Sequence, residues 1–198
     1  MAAMNPPSRT AGLVGLCSVV LQGLFRKFLG YAERKRIKLH LMIVEQELRS
    51  ADISHLSDEL KGHRRSMLEL LNEYWKREEF PINTDYDIKT PQIRDRYGTP
   101  CAMAHLVERS GHAELVNLLA TQNNLVYIDD VNDGPLISWL ERFGLSKQEA
   151  ARIQPAYDPF NGNGPALATI AVTIIAAAIG LFALRLMRRK KKHELEEE

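Results

Sequence analysis

The chain has 198 residues, with 26 Lys+Arg against 25 Asp+Glu and a net charge of +1. That near-neutral total hides a partition: residues 39–164 hold 13 basic and 20 acidic side chains, a net of −7, while the basic clusters flank apolar runs. An acidic body excludes the basic footprint that nucleic-acid binding needs, and two cysteines exclude a disulfide scaffold.

The N-terminal segment, residues 1–36, contains the apolar run Ala11–Phe25 and then Arg26, Lys27, Arg34, Lys35 and Arg36. Three readings stay open for that run: an uncleaved anchor or signal-like segment, an interfacial amphipathic helix, or a helix of the domain core. A small-x-small tripeptide, Gly30-Tyr31-Ala32, follows it.

Residues 37–158 form the expected soluble domain, all-α, mainly short helices with little strand. Ile37, Leu41, Val44 and Leu48 recur at 3–4 spacing, so 34–50 reads as a helix. Ser57 suits an N-cap, with Asp58 and Glu59 in the first turn. The stripe Leu60, Met67, Leu68, Leu71, Tyr74, Trp75 predicts a helix that ends near Glu79. Residues 81–98 are rich in Pro, Asn, Asp and Gly and should be extended or turning, with a short strand near Gln92–Asp95 and a tight turn at Asp95-Arg96-Tyr97-Gly98.

Thr99-Pro100-Cys101 looks like a helix start with Thr99 as N-cap and Pro100 at the first position. That helix should run to Ser110 and stop at Gly111. Further helices are expected at His112–Thr121, from Pro135 to Phe143 with Gly144 as C-cap, and after Ser146, where Ser146-Lys-Gln-Glu149 forms a capping box. Val126–Ile128 is a candidate strand.

Residues 159–165 read as a linker. The run Ala166–Leu184 has 19 residues and no charge. At about 1.5 Å per residue it spans roughly 28 Å, close to the roughly 30 Å of bilayer hydrocarbon. We expect one C-terminal transmembrane helix over 166–187 and a charged tail over 188–198. Arg188, Arg189, Lys190, Lys191 and Lys192 would meet lipid headgroups. Ala176, Ala177 and Gly180 give that helix a small-residue face for packing against another membrane protein or a second copy.

The sharpest chemical grouping is Cys101, His105, Glu108 and His112. A thiol in the first turn of a helix, with an imidazole four residues on, is the minimum for nucleophilic catalysis. The apolar neighbours Ala102, Ala104, Leu106 and Val107 argue instead for a buried, inert thiol. Asp129, Asp130, Asn132 and Asp133 are acidic enough for Ca²⁺ but lack EF-hand spacing. Trp75, Tyr74 and Trp139 sit at packing positions. No cofactor or metal site is expected.

Phe80-Pro-x-Asn83, Asp95-x-x-Gly98-x-x-Cys101-Ala102-x-Ala104-x-Leu106, Ser110-Gly111, Trp139, Gly144-Leu145 and Ile153-Gln154-Pro155-x-Tyr157 together resemble an uncharacterised bacterial family of secreted or membrane-attached proteins. The resemblance covers about residues 38–157. It implies an exported location and supplies no catalytic residues.

The expectation is therefore a single-pass membrane protein, or a two-pass one if residues 11–25 also span. It would present a non-enzymatic helical interaction or scaffold domain at the membrane surface. Its acidic domain would be extracytoplasmic and its basic tail cytoplasmic, the other orientation being a tail-anchored protein with the domain in the cytoplasm; membrane lipids are the expected partners. The alternative is a thiol-dependent hydrolase or transferase using Cys101 with His105 or another His.

Overall fold

The structure, a computed structural model, describes residues 9–160 together with Ala177, Ile179, Gly180 and Arg185; side chains are described from Gly23 onward, Phe25 excepted. The chain divides into two units, residues 1–28 with 163–198, and residues 29–162. In the first, residues 9–28 are helical, as are Ala177, Ile179, Gly180 and Arg185. The account below concerns the second.

That unit is all-α. Six helices run in the order α1 (Arg9–Ser50), α2 (Asp58–Arg77), α3 (Ala102–Arg109), α4 (Ala113–Asn123), α5 (Pro135–Arg142) and α6 (Lys147–Ile153) among the described residues. A 3-10 turn occupies Ile128–Asp130, where a strand was expected from Val126. The turn forms because Ile128 N–H donates to the Gln154 side chain and Asp130 N–H to the Tyr127 carbonyl, which leaves no edge for a neighbouring strand.

The two long helices form an antiparallel pair. Lys35 and Lys38 of α1 meet Glu78 at the end of α2, Glu45 meets Asn72 and Trp75, and Arg64 reaches the Leu48 carbonyl. Ile37, Leu41, Val44 and Leu48 are buried on one face of α1, at the spacing of a helix stripe. Met67, Leu68, Leu71 and Tyr74 are buried on α2, while Leu60 and Trp75 of the expected stripe are only partly buried. α3 is buried through six consecutive residues, Ala102–Val107, and forms the centre.

Local signals set most helix ends. Ser57 Oγ accepts the Leu60 N–H, and Glu78 ends α2 in the left-handed conformation at φ 55°. Ser146 and Glu149 form the reciprocal capping box. Gly144 (φ +66°) follows α5; a Cβ there would lie 2.8 Å from the Leu60 carbonyl oxygen, so only glycine fits between the turn and α2.

Three features differ from expectation. The helix after Thr99 begins at Ala102, with Cys101 rather than Thr99 as its N-cap. Thr99 is already engaged: its N–H donates to Asp95 Oδ1 and its carbonyl accepts the Asp95 N–H. The expected strand near Gln92–Asp95 reduces to isolated bridges, Arg94 with Pro100 and Thr90 with Tyr157. Helix α1 is also longer than 34–50, because the apolar run and the domain helix join without a break from Arg9.

Among the described residues no helix is long and apolar enough to cross a membrane. The expected span over 166–187 lies outside the described residues, but for Ala177, Ile179, Gly180 and Arg185.

Candidate functional site

The motif residues converge on the irregular segment between α2 and α3, where they bond backbone. Asn83, almost wholly buried, donates through Nδ2 to the carbonyls of Ile88 (2.8 Å) and Tyr157 (3.2 Å), and its Oδ1 accepts the Tyr86 N–H (3.1 Å). The buried Asp95 carboxylate accepts three N–H groups, from Ile82 (3.1 Å), Tyr97 (2.9 Å) and Thr99 (2.8 Å). This holds the tight turn, closed by Gly98 N–H to the Asp95 carbonyl with Gly98 at φ +84°. Gln154 holds Val126 and Ile128 through both ends of its amide, and Asn124 does the same for Arg94. A side-chain amide can substitute for a missing strand because it carries a donor and an acceptor in one plane.

The four residues of the thiol grouping point to separate partners. Cys101 is fully buried, and its Sγ accepts the Ala104 N–H at 3.4 Å. Burial pushes the thiol up to about 11, against the pull of the cap hydrogen bonds, so the protonated thiol is favoured at neutral pH. His105 is buried against the Tyr74 ring, and Arg77 Nη2 lies 3.1 Å from its Nε2. Burial, then the charges of Arg77 and Arg109, bring its imidazole down to about 4. The ring is therefore neutral and accepts from Arg77. Glu108 pairs with Arg94, and His112 caps α4 with its ring edge-on to Phe143. The cysteine thus sits at a helix N-terminus, where a thiol is usually activated, yet desolvation outweighs the cap.

Other expected packing residues behave as such. Trp139 is buried, donates to Ser110 Oγ at 3.0 Å and stacks on Phe143. Trp75 donates to Glu45, a buried carboxylate that also accepts from Asn72 and Arg49. Burial alone would raise Glu45, but these three bonds hold it below its ordinary value. The Asp129–Asp133 group is exposed apart from partly buried Val131, and Lys147 bonds the Asp129 carbonyl and the Asn132 side chain. No cluster of metal ligands occurs among the described residues. Ala177 and Gly180 are helical and exposed; Ala176, Arg188, Arg189, Lys190, Lys191 and Lys192 lie outside the described residues.

Sequence reasoning missed two constellations. Arg64, nearly wholly buried, forms a two-point pair with Glu149 (2.6 and 2.9 Å) and donates to the Gly144 and Leu48 carbonyls, tying α1, α2 and α6 together. It lines a cleft of about 400 Å³ with Asp52, His55, Leu56 and Ser146. Nothing in the spacing of residue 64 to residue 149 signals that contact.

The second joins the two ends of the domain. Glu33 Oε1 accepts the Asp158 N–H (3.0 Å), and Arg36 donates to Glu33 and to the Ala156 carbonyl (2.6 Å). Asp158 pairs with Arg36 and with Lys89. Phe160 N–H donates to the Asn83 carbonyl at 2.5 Å, and the Phe160 ring packs over Gly30, where a Cβ would come within 3.2 Å. Pro159 and Phe160, expected as the start of the linker 159–165, are thus fastened with residues 156–158 to α1 and to the loop at Asn83. No family model, curated protein or solved structure matches this chain.

Proposed function

We propose that this is a membrane-anchored protein that presents a small acidic helical domain for interaction at the membrane surface. The observation that carries the reading is the charge-free run Ala166–Leu184, bounded by Arg185 and the basic residues Arg188–Lys192. Its length matches the hydrocarbon thickness, and its basic flank suits a cytoplasmic stop-transfer end. The engagement of Asn83, Asp95, Asn124 and Gln154 with backbone supports a display role, because these side chains serve the fold. The same reading assigns the family resemblance to shared architecture and places the domain outside the cytoplasm.

Two experiments test it. Carbonate extraction of the full chain should leave it in the membrane pellet. A reporter active only outside the cytoplasm should work when fused at residue 160 and be silent at the C-terminus; activity from the C-terminal fusion alone reverses the orientation. Association through Ala176, Ala177 and Gly180 predicts crosslinked species in membranes that Gly180→Leu abolishes. The thiol-enzyme alternative requires Cys101 to react with alkylating reagents in the folded protein. Complete protection until unfolding removes that alternative.

A further inference from the structure

We propose that the edge of the domain carrying Tyr31, Ile82, Ile88 and Phe160 is a lipid-contacting surface that rests in the headgroup layer. The proposal builds on the membrane-anchored reading above. Three observations within residues 29–162 carry it.

The first is where the chain leaves the domain. Residues 30–36 and 156–160 are fastened to each other by the Glu33–Asp158, Arg36–Ala156 and Gly30–Phe160 contacts. One leads back to the apolar run Ala11–Phe25, and the other leads on to Ala166–Leu184. Only residues 161–165 separate Phe160 from the second run, a reach of at most about 18 Å when fully extended. The headgroup layer on each side of a bilayer is itself about 5–8 Å thick. An edge tethered this closely cannot stand far from the lipid.

The second is what that edge exposes. Ile88 is 67% exposed, Tyr31 54% and Ile82 42%. Their neighbourhood is set by bonds already described: Asn83 holds the Ile88 carbonyl and accepts from Phe160, Ile82 precedes Asn83, and Tyr31 follows Gly30. Lys35 lies 5.3 Å from the Tyr31 ring centre, and Lys89 adjoins Ile88 and reaches Asp158. Apolar and aromatic tips among lysines with long aliphatic stems are the composition suited to a membrane interface. Two acids at this end have cationic partners: Glu78 has Lys35 and Lys38, and Asp85 has Arg96.

The third is the opposite end. From Glu33 to Ser50 α1 rises roughly 26 Å, and α2 returns antiparallel from Asp58. The turn between them bears exposed Asp52, and the first turn of α2 bears exposed Asp58 and Glu59, with Lys61 paired to Asp58. The far end is therefore polar, and the tethered end is the one that exposes Tyr31, Ile82 and Ile88.

The test uses the full chain with Cys17→Ser, so that the buried Cys101 is the only native thiol, reconstituted in vesicles of equimolar phosphatidylcholine and phosphatidylglycerol. A polarity-sensitive fluorophore is attached at Ile88→Cys, at Ile82→Cys and, as the distal reference, at Asp58→Cys. Lipid spin-labelled in the headgroup should quench positions 88 and 82 several-fold more than position 58, with blue-shifted emission at 88. Equal quenching at 88 and 58, in protein that still resists carbonate extraction, overturns the lipid-facing edge and leaves the anchor standing. Release of the protein by carbonate overturns both. All three positions are exposed, so labelled variants keep the native circular dichroism if the fold is intact, and position 82 serves if 88 does not.

Discussion

In α1 and α2 the backbone bonds to itself, and the inward side chains are free to be apolar: Ile37, Leu41, Val44 and Leu48 against Met67, Leu68 and Leu71. Between Phe80 and Cys101 the backbone has only isolated bridges, and the inward side chains include Asn83, Thr90, Gln92 and Asp95. Both regions are buried, but the first rests mainly on area removed from water, with Glu45 and Arg64 as its buried ionic exceptions, and the second mainly on side-chain hydrogen bonds to backbone. The lesson is that a signature rich in Asn, Asp and Gln need not mark chemistry. In a helical domain with one long irregular segment, those residues are what keep the segment's N–H and C=O groups paired.

The contrast can be broken by substitution. Leu71→Ala should cost about 2–5 kcal/mol, since Leu71 is wholly buried and its truncation leaves a cavity. Denaturant unfolding should show the loss as a lower midpoint with an unchanged slope. A cost below about 1 kcal/mol would mean that the helical pair is not held by packing.

His105 sharpens the comparison, being a polar residue of the helical core that satisfies no loop backbone. Its folded value of about 4 lies below the ordinary 6.5 of an unfolded histidine. Between those values the unfolded chain takes up a proton that the folded chain refuses. Stability should therefore fall as pH drops from about 6.5 to about 4, by at most about 3 kcal/mol, and this contribution should be flat below that. His105→Gln should remove this limb. Glu45 acts at lower pH: its depressed folded value gives stability above the unfolded carboxylate range that is lost as pH falls through the folded one.

Asp95→Ala leaves the N–H groups of Ile82, Tyr97 and Thr99 without their acceptor and should cost about 2–3 kcal/mol. Hydrogen exchange should locate the loss, with amides of residues 81–99 losing protection before those of α1 and α2. Uniform loss across the domain would deny that the segment depends on its side-chain bonds. The smallest effect is expected at Tyr157→Phe. The fully buried Tyr157 hydroxyl meets only the Tyr74 hydroxyl, in a weak side-chain contact, so its removal should cost less than about 1 kcal/mol by thermal melting.

Local features were legible in the sequence because neighbouring residues decide them. The Ser57 cap, the Ser146–Glu149 capping box, the Asp95–Gly98 turn and the α5 start at Pro135 all appear as read. What failed depended on distant partners. Thr99 has the chemistry of a cap, but Asp95 occupies it, and the cap moves to Cys101. Val126–Ile128 has strand composition, but Gln154 takes its polar groups. The proposed thiol grouping shares helical spacing, yet His105 turns to Arg77 and Glu108 to Arg94. Arg64 and Glu149, or Glu33 and Asp158, are separated by 85 and 125 positions, and no periodicity reports such pairs.

The fastening of residues 30–36 to 156–160 also sets how the domain would bear mechanical load. A pull arriving along the chain at Gly30 and leaving at Phe160 crosses a short bridge made of two carboxylates, a guanidinium and a packed ring. The strain passes across that bridge and bypasses the 125-residue loop of chain it closes. Such a pull would be resisted first by Glu33, Arg36 and Asp158, and the core helices would feel it only after those contacts part.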